Sequence, residues 1–114
     1  MKALVVLSIA AVTAAAQPAL AGRTYQGREA SAVQCAAYFS YVAYVGQQLG
    51  VVSPSVTQAG AEIGTYILVQ HVGGTWQQKI SAYNIIIDRM PEDMTMFEDA
   101  NRHLGWCRRE FLPR

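Results

Sequence analysis

The residues best suited to covalent, redox or metal chemistry are two cysteines, Cys35 and Cys107, and two histidines, His71 and His103. A redox couple favours a Cys-x-x-Cys spacing, and a catalytic thiol wants a base or cation beside it; neither pattern is present. A zinc site needs about four ligands, and these four side chains have no paired short spacing. A structural disulfide between Cys35 and Cys107 is therefore expected, and closing so long a loop stabilises a small fold by up to about 4 kcal/mol. There is no Gly-x-Ser-x-Gly, and neither histidine can be placed beside a nucleophile. The adjacent pairs Glu92-Asp93 and Glu98-Asp99 do not face one another on a helix and read as part of an ion-pair face. No glycine-rich phosphate loop or Cys-x-x-Cys-His haem motif occurs. The expectation is a non-catalytic protein with no cofactor and no metal.

With 114 residues, the chain has room for one domain. It carries 9 basic and 8 acidic side chains, which gives no electrostatic footprint for nucleic acid. Met1-Lys2 followed by an apolar run from Ala3 to Ala16 and by Gln17-Pro18-Ala19-Leu20-Ala21 reads as a secretory signal peptide cut after Ala21. About 14 apolar residues fall short of the roughly 20 that a spanning helix needs. Cys35 is too far from the cut, and too poorly flanked, to be a lipid anchor. The expected product is a periplasmic or secreted domain from Gly22 to Arg114, with no stable membrane insertion and equal numbers of acidic and basic side chains. A disulfide suits that oxidising compartment.

Four segments carry helical punctuation, and none has the sustained alternation of a strand. The first runs from about Arg28 to Gly50, where the glycine can stop a helix. Ser53 and Pro54 supply an N-cap and first helical residue for the second, which carries Val56, Ala59, Ile63, Tyr66, Ile67 and Gln70 to the break at Gly73-Gly74. Thr75-Trp76-Gln77-Gln78 has capping-box spacing and opens the third, with Trp76, Ile80, Tyr83 and Ile87 on one stripe. Pro91, Glu92 and Asp93 are read as the start of the fourth, whose stripe is Met94, Phe97, Asn101, Leu104, Cys107 and Phe111. Glu98–Arg102 and Asp99–His103 are its outer i,i+4 pairs. Short connections favour antiparallel neighbours, so the expected fold is all-α, a compact four-helix bundle with the first and last helices linked by one disulfide.

The first segment carries no charge from Ala30 to Val52. At 100° per residue it divides into three arcs. Leu49, Val42, Cys35, Gly46 and Phe39 must face the fourth helix if the disulfide forms. Ala32, Ala43, Ala36, Gln47 and Ser40 admit the close approach of another backbone. Separately, Gly60-Ala61-Glu62-Ile63-Gly64 has GxxxG spacing and reads as tight helix packing in water, since Glu62 inside it would be costly in lipid. The third arc, Gln34, Tyr38, Tyr41, Val45 and Gln48, is either covered within a central helix or is a contact surface. Arg102, Arg108, Arg109 and Arg114 concentrate positive charge in the last helix, as a helix-end cap or a grip on an anionic partner.

Two functions follow as expectations. The first is an exported protein acting through protein contacts, with another chain or a second copy, at Gln34, Tyr38, Tyr41, Gln48, Arg102, Arg108 and Arg109. The second is a carrier of a small apolar ligand between helices, with Trp76, Tyr83, Met94, Met96 and Trp106 as soft walls.

Overall fold

The computed structural model describes residues 22–114, so the segment read as a signal peptide lies outside the described residues. The described chain is four helices in sequence: α1 (Gly27–Gln48), α2 (Pro54–His71), α3 (Trp76–Asp88) and α4 (Met94–Phe111). Among the described residues there is no strand, and Ile85-Ile86-Ile87 lies within α3.

Local chemistry sets the helix ends. At the end of α1, Gly50 adopts a left-handed φ of 77°, its N–H bonds the Gln47 carbonyl and the Val51 N–H bonds the Gly46 carbonyl. These two bonds are the Schellman pattern, which satisfies carbonyls the helix leaves free. Ser53 stands at the N-cap of α2 with Pro54 next, yet its hydroxyl pairs with Ser55 rather than capping an amide. The α3 capping box is complete: the Gln78 N–H donates to Thr75 Oγ1 at 3.1 Å, and the Thr75 N–H donates to Gln78 Oε1 at 2.9 Å. The start of α4 differs from the expectation at Pro91. The helix begins at Met94, where the Asp93 carboxylate accepts the Met96 N–H at 2.8 Å. A side-chain acceptor at the cap satisfies an orphan amide, which a first-turn proline cannot do, and this moves the boundary three residues on.

α1 is the central element and packs against all three other helices. Its buried residues, among them Ala32, Val33, Cys35, Phe39, Val42 and Val45, lie all round the helix. That is why so long a stretch carries no charge: a helix apolar on every side is a buried one. The Cys35 arc faces α4 as expected. The disulfide to Cys107 joins buried residues whose Cα atoms are 5.5 Å apart, and Gly46 approaches Phe97 of α4.

The alanine arc takes the GxxxG face of α2. A Cβ on Gly60 would run into the Ala43 methyl and stand 2.8 Å from the Phe39 carbonyl oxygen; one on Gly64 would stand 2.8 Å from Ser40 Oγ and 3.0 Å from the Ala36 carbonyl. Gly60→Ala gains up to about 1 kcal/mol of helix propensity but overpacks against main chain, which costs about 1–3 kcal/mol. The expected result is a net loss of about 1 kcal/mol in urea unfolding. Gly64→Ala should lose less, because the Ser40 side chain can move aside.

Two clasps hold the segments before α1 and at the end of α4. Near the amino end, the Tyr25 hydroxyl donates to the Gly73 carbonyl at 2.6 Å and the Gly73 N–H donates to Glu29 Oε2 at 2.7 Å, with Arg23 paired to Glu29 at 3.4 Å. At the carboxyl end, Arg28 of α1 bonds both the side chain and the carbonyl of Glu110, and His71 Nε2 donates to the Phe111 carbonyl at 2.7 Å.

Candidate functional site

The residues singled out for contact do not form one exposed surface. Tyr38 and Tyr41 are only 8% and 4% exposed, so of the two alternatives for this arc the fold has the covered one at both rings. Tyr38 lies against the His103 ring at 5.3 Å between centroids, and its hydroxyl accepts from Gln34 Nε2 at 2.8 Å. The Tyr41 hydroxyl donates to the Pro91 carbonyl at 2.6 Å. Both tyrosines are covered because α1 is central and the α3–α4 turn and α4 close over this arc. Gln34 and Gln48 remain exposed at its ends.

Several polar residues of α4 are engaged within the domain. Arg102 pairs with Asp99 at 2.9 Å, one residue closer than the expected Glu98 partner. His103 Nδ1 bonds the Asp99 carbonyl rather than its carboxylate. The Arg108 guanidinium lies 5.9 Å from the centre of the Phe39 ring, while Arg109 is exposed. Among the described residues no group of three His, Cys, Asp or Glu side chains is placed to hold a metal ion.

The five side chains expected to wall a ligand space do not converge either. Trp76, Met94 and Trp106 are exposed. Of the five, only Tyr83 lines the groove between α1, α2 and α3.

That groove, of about 320 Å³, lies where α1, α2 and α3 diverge. Ser40, Tyr41, Tyr44 and Val45 of α1 form one side, Thr57 and Ala61 of α2 a second, and Tyr83 and Ile87 of α3 a third, with Met90 and Glu92 of the following turn at its rim. Helical spacing aligns the α1 contributors, since residues three and four apart share a face. The main-chain approach at Gly60 and Gly64 brings α2 close, and Thr57 Oγ1 bonds the Ala43 carbonyl and the Gln47 side chain. The Tyr41 bond to Pro91 holds the turn that carries Glu92 against α1.

The polar groups of the groove are few. Ser40 Oγ is occupied by the Ala36 carbonyl and Tyr41 by Pro91. The Tyr44 and Tyr83 hydroxyls and the Glu92 carboxylate have no hydrogen-bond or ion-pair partner among the described residues. Tyr44 is 50% exposed, which is unusual for so large a ring on the central helix. Burial raises the Tyr41 hydroxyl above the ordinary tyrosine range; a main-chain hydrogen bond at Asp93 works against the rise, and the Asp93 and Glu92 carboxylates add to it. The neutral phenol is thus the form the fold prefers. Stability from this source is intact below pH about 10 and is lost as pH rises from there through the raised value. Tyr41→Phe should lower the unfolding free energy by about 1 kcal/mol at neutral pH through the lost hydrogen bond. It should also flatten the decline of the urea midpoint above pH 10.

The residues that sequence reasoning missed are Tyr44, Thr57, Ala61, Met90 and Glu92. Tyr44 had a readable signal, being an uncharged aromatic three residues from Tyr41. Glu92 looked like a helix-start acid. Among the described residues no helix is long and apolar enough to cross a membrane. Comparison with protein-family models, with curated proteins and with solved structures gives no match.

Proposed function

We propose that this chain is a small exported, non-catalytic helical protein that holds a small, largely apolar molecule in the groove between α1, α2 and α3. The groove carries the reading. It is concave, about 320 Å³ in volume, and walled mainly by aromatic and aliphatic side chains, with Tyr44 and Tyr83 as its unoccupied hydroxyls. Binding sites for small molecules combine mostly apolar walls with a few polar groups that fix orientation, in spaces of about 300 Å³ upward. Export is supported by the charged start, apolar run and small residues ending at Ala21, and by a cystine of the kind that persists in oxidising compartments.

The experiment is a fragment screen by NMR on the wild type and on Ala61→Trp. Ala61 is exposed on α2 and lines the groove, so an indole there fills the space without entering the core. The reading predicts fragments that shift the Tyr44 and Tyr83 ring resonances in the wild type and no longer bind the variant. Fragments that bind both proteins equally, or none that touch these rings, would contradict it.

Contact with another chain is the second reading. The observation that favours it is the outer face of α2, where Tyr66 and Val69 are exposed and Glu62 is the helix's only acidic or basic side chain apart from His71. Such a face is less polar than a solvated helix normally presents.

A further inference from the structure

We infer that the ligand of this groove is a small organic cation: an ammonium or quaternary nitrogen on an apolar body. The inference rests on the groove being a ligand site and adds the chemical class.

The charge follows from the lining. Three tyrosines, Tyr41, Tyr44 and Tyr83, border the groove, and a tyrosine ring presents a negative face that attracts cations. Glu92 is the only charged residue in the lining; no lysine, arginine or histidine contributes. Its carboxylate is exposed and makes no ion pair among the described residues, so a bound cation would not have to displace a protein partner. The nearby Arg89 lines a different groove, beside Tyr25 and Ile85. Helix ends do not reverse the sign. The first turn of α2, at Thr57, brings the positive end of a helix dipole to the groove, and the last turn of α3, at Ile87, brings a negative one. With these opposed, the full charge of Glu92 decides. An anion would meet the Glu92 carboxylate with no basic side chain in the lining to offset it, and an uncharged ligand would leave Glu92 unused.

The test is calorimetric titration of the oxidised protein with two probes of one shape, 3-hydroxyphenyltrimethylammonium and its uncharged isostere 3-tert-butylphenol. The cation should bind at least about tenfold more tightly than the isostere. Glu92→Gln, in an exposed turn, should remove most of that difference and leave binding of the isostere within about twofold. Tyr44→Leu, at a half-exposed ring, should weaken the cation more than the isostere. Equal binding of the two probes would overturn the cation class while leaving the groove as a site for apolar ligands. Binding of neither at millimolar concentration would overturn both.

Discussion

Replacing Cys35 and Cys107 together by alanine should lower the unfolding free energy by about 4 kcal/mol, read as a shift in urea midpoint against the oxidised wild type. The bond closes a loop of 72 residues, and a cross-link of that length removes much of the freedom of the unfolded chain. It ties α1 to α4 at two fully buried positions, so the alanines also leave a small void where sulfur atoms were packed. Small domains have only about 5–15 kcal/mol to lose, and this one buries a modest core. The variant should therefore be partly unfolded at 37 °C. Coincident midpoints for variant and wild type would show that helix packing alone holds the bundle.

Phe111→Ala should cost about 3–5 kcal/mol, although Phe111 is the last residue of α4 and lies three positions from the end of the sequence. Its ring is 1% exposed. It meets the edge of Trp106 at 5.9 Å and His71 of α2 at 5.1 Å between centroids, and the Arg28 guanidinium of α1 lies 4.7 Å from its centre. One side chain thus joins three helices. Truncation removes this packing and leaves a cavity that three helix ends would have to collapse to fill. Phe111→Leu, which keeps much of the volume, should cost less than about 1.5–2 kcal/mol. A thermal melt of the two variants checks the order; equal small losses would mean that the carboxyl end of α4 is not part of the cooperative unit.

Much of this architecture was legible in the sequence because single residues punctuate it. Gly50 ends α1 and the Thr75–Gln78 box starts α3, as local chemistry predicts. The alanine arc of α1 and the GxxxG of α2 each announced close packing, and the structure shows that they pack on one another. Cys107 fell on the buried stripe of α4 and the pairing with Cys35 followed. Pro91 and Asp93 both suit a helix entry, so the sequence pattern alone puts the start of α4 three residues early. The Asp93 carboxylate takes the cap, and Pro91 is left in the preceding turn, where its carbonyl accepts the Tyr41 hydroxyl.

The candidate site was less legible for a related reason. Periodicity says which residues share a face but not which neighbour covers it. Tyr38, Tyr41 and Tyr44 lie within seven residues, and only the structure separates the two covered rings from the half-exposed one. The groove also draws on three helices and a turn, so no local spacing could announce it. Glu92 illustrates the point: in sequence it is one of a pair of acids at a helix start, whereas in the fold Asp93 alone caps the helix and Glu92 faces the groove.

The most direct test of the groove as a ligand site is native mass spectrometry of the protein purified, without reductant, from the exported fraction of its own host. The account predicts a chain beginning at Gly22, lighter by two hydrogens for the Cys35–Cys107 bond, and carrying a single small organic molecule that Ala61→Trp abolishes. A complex with a second polypeptide and no small molecule would contradict it and make the outer face of α2 the functional surface.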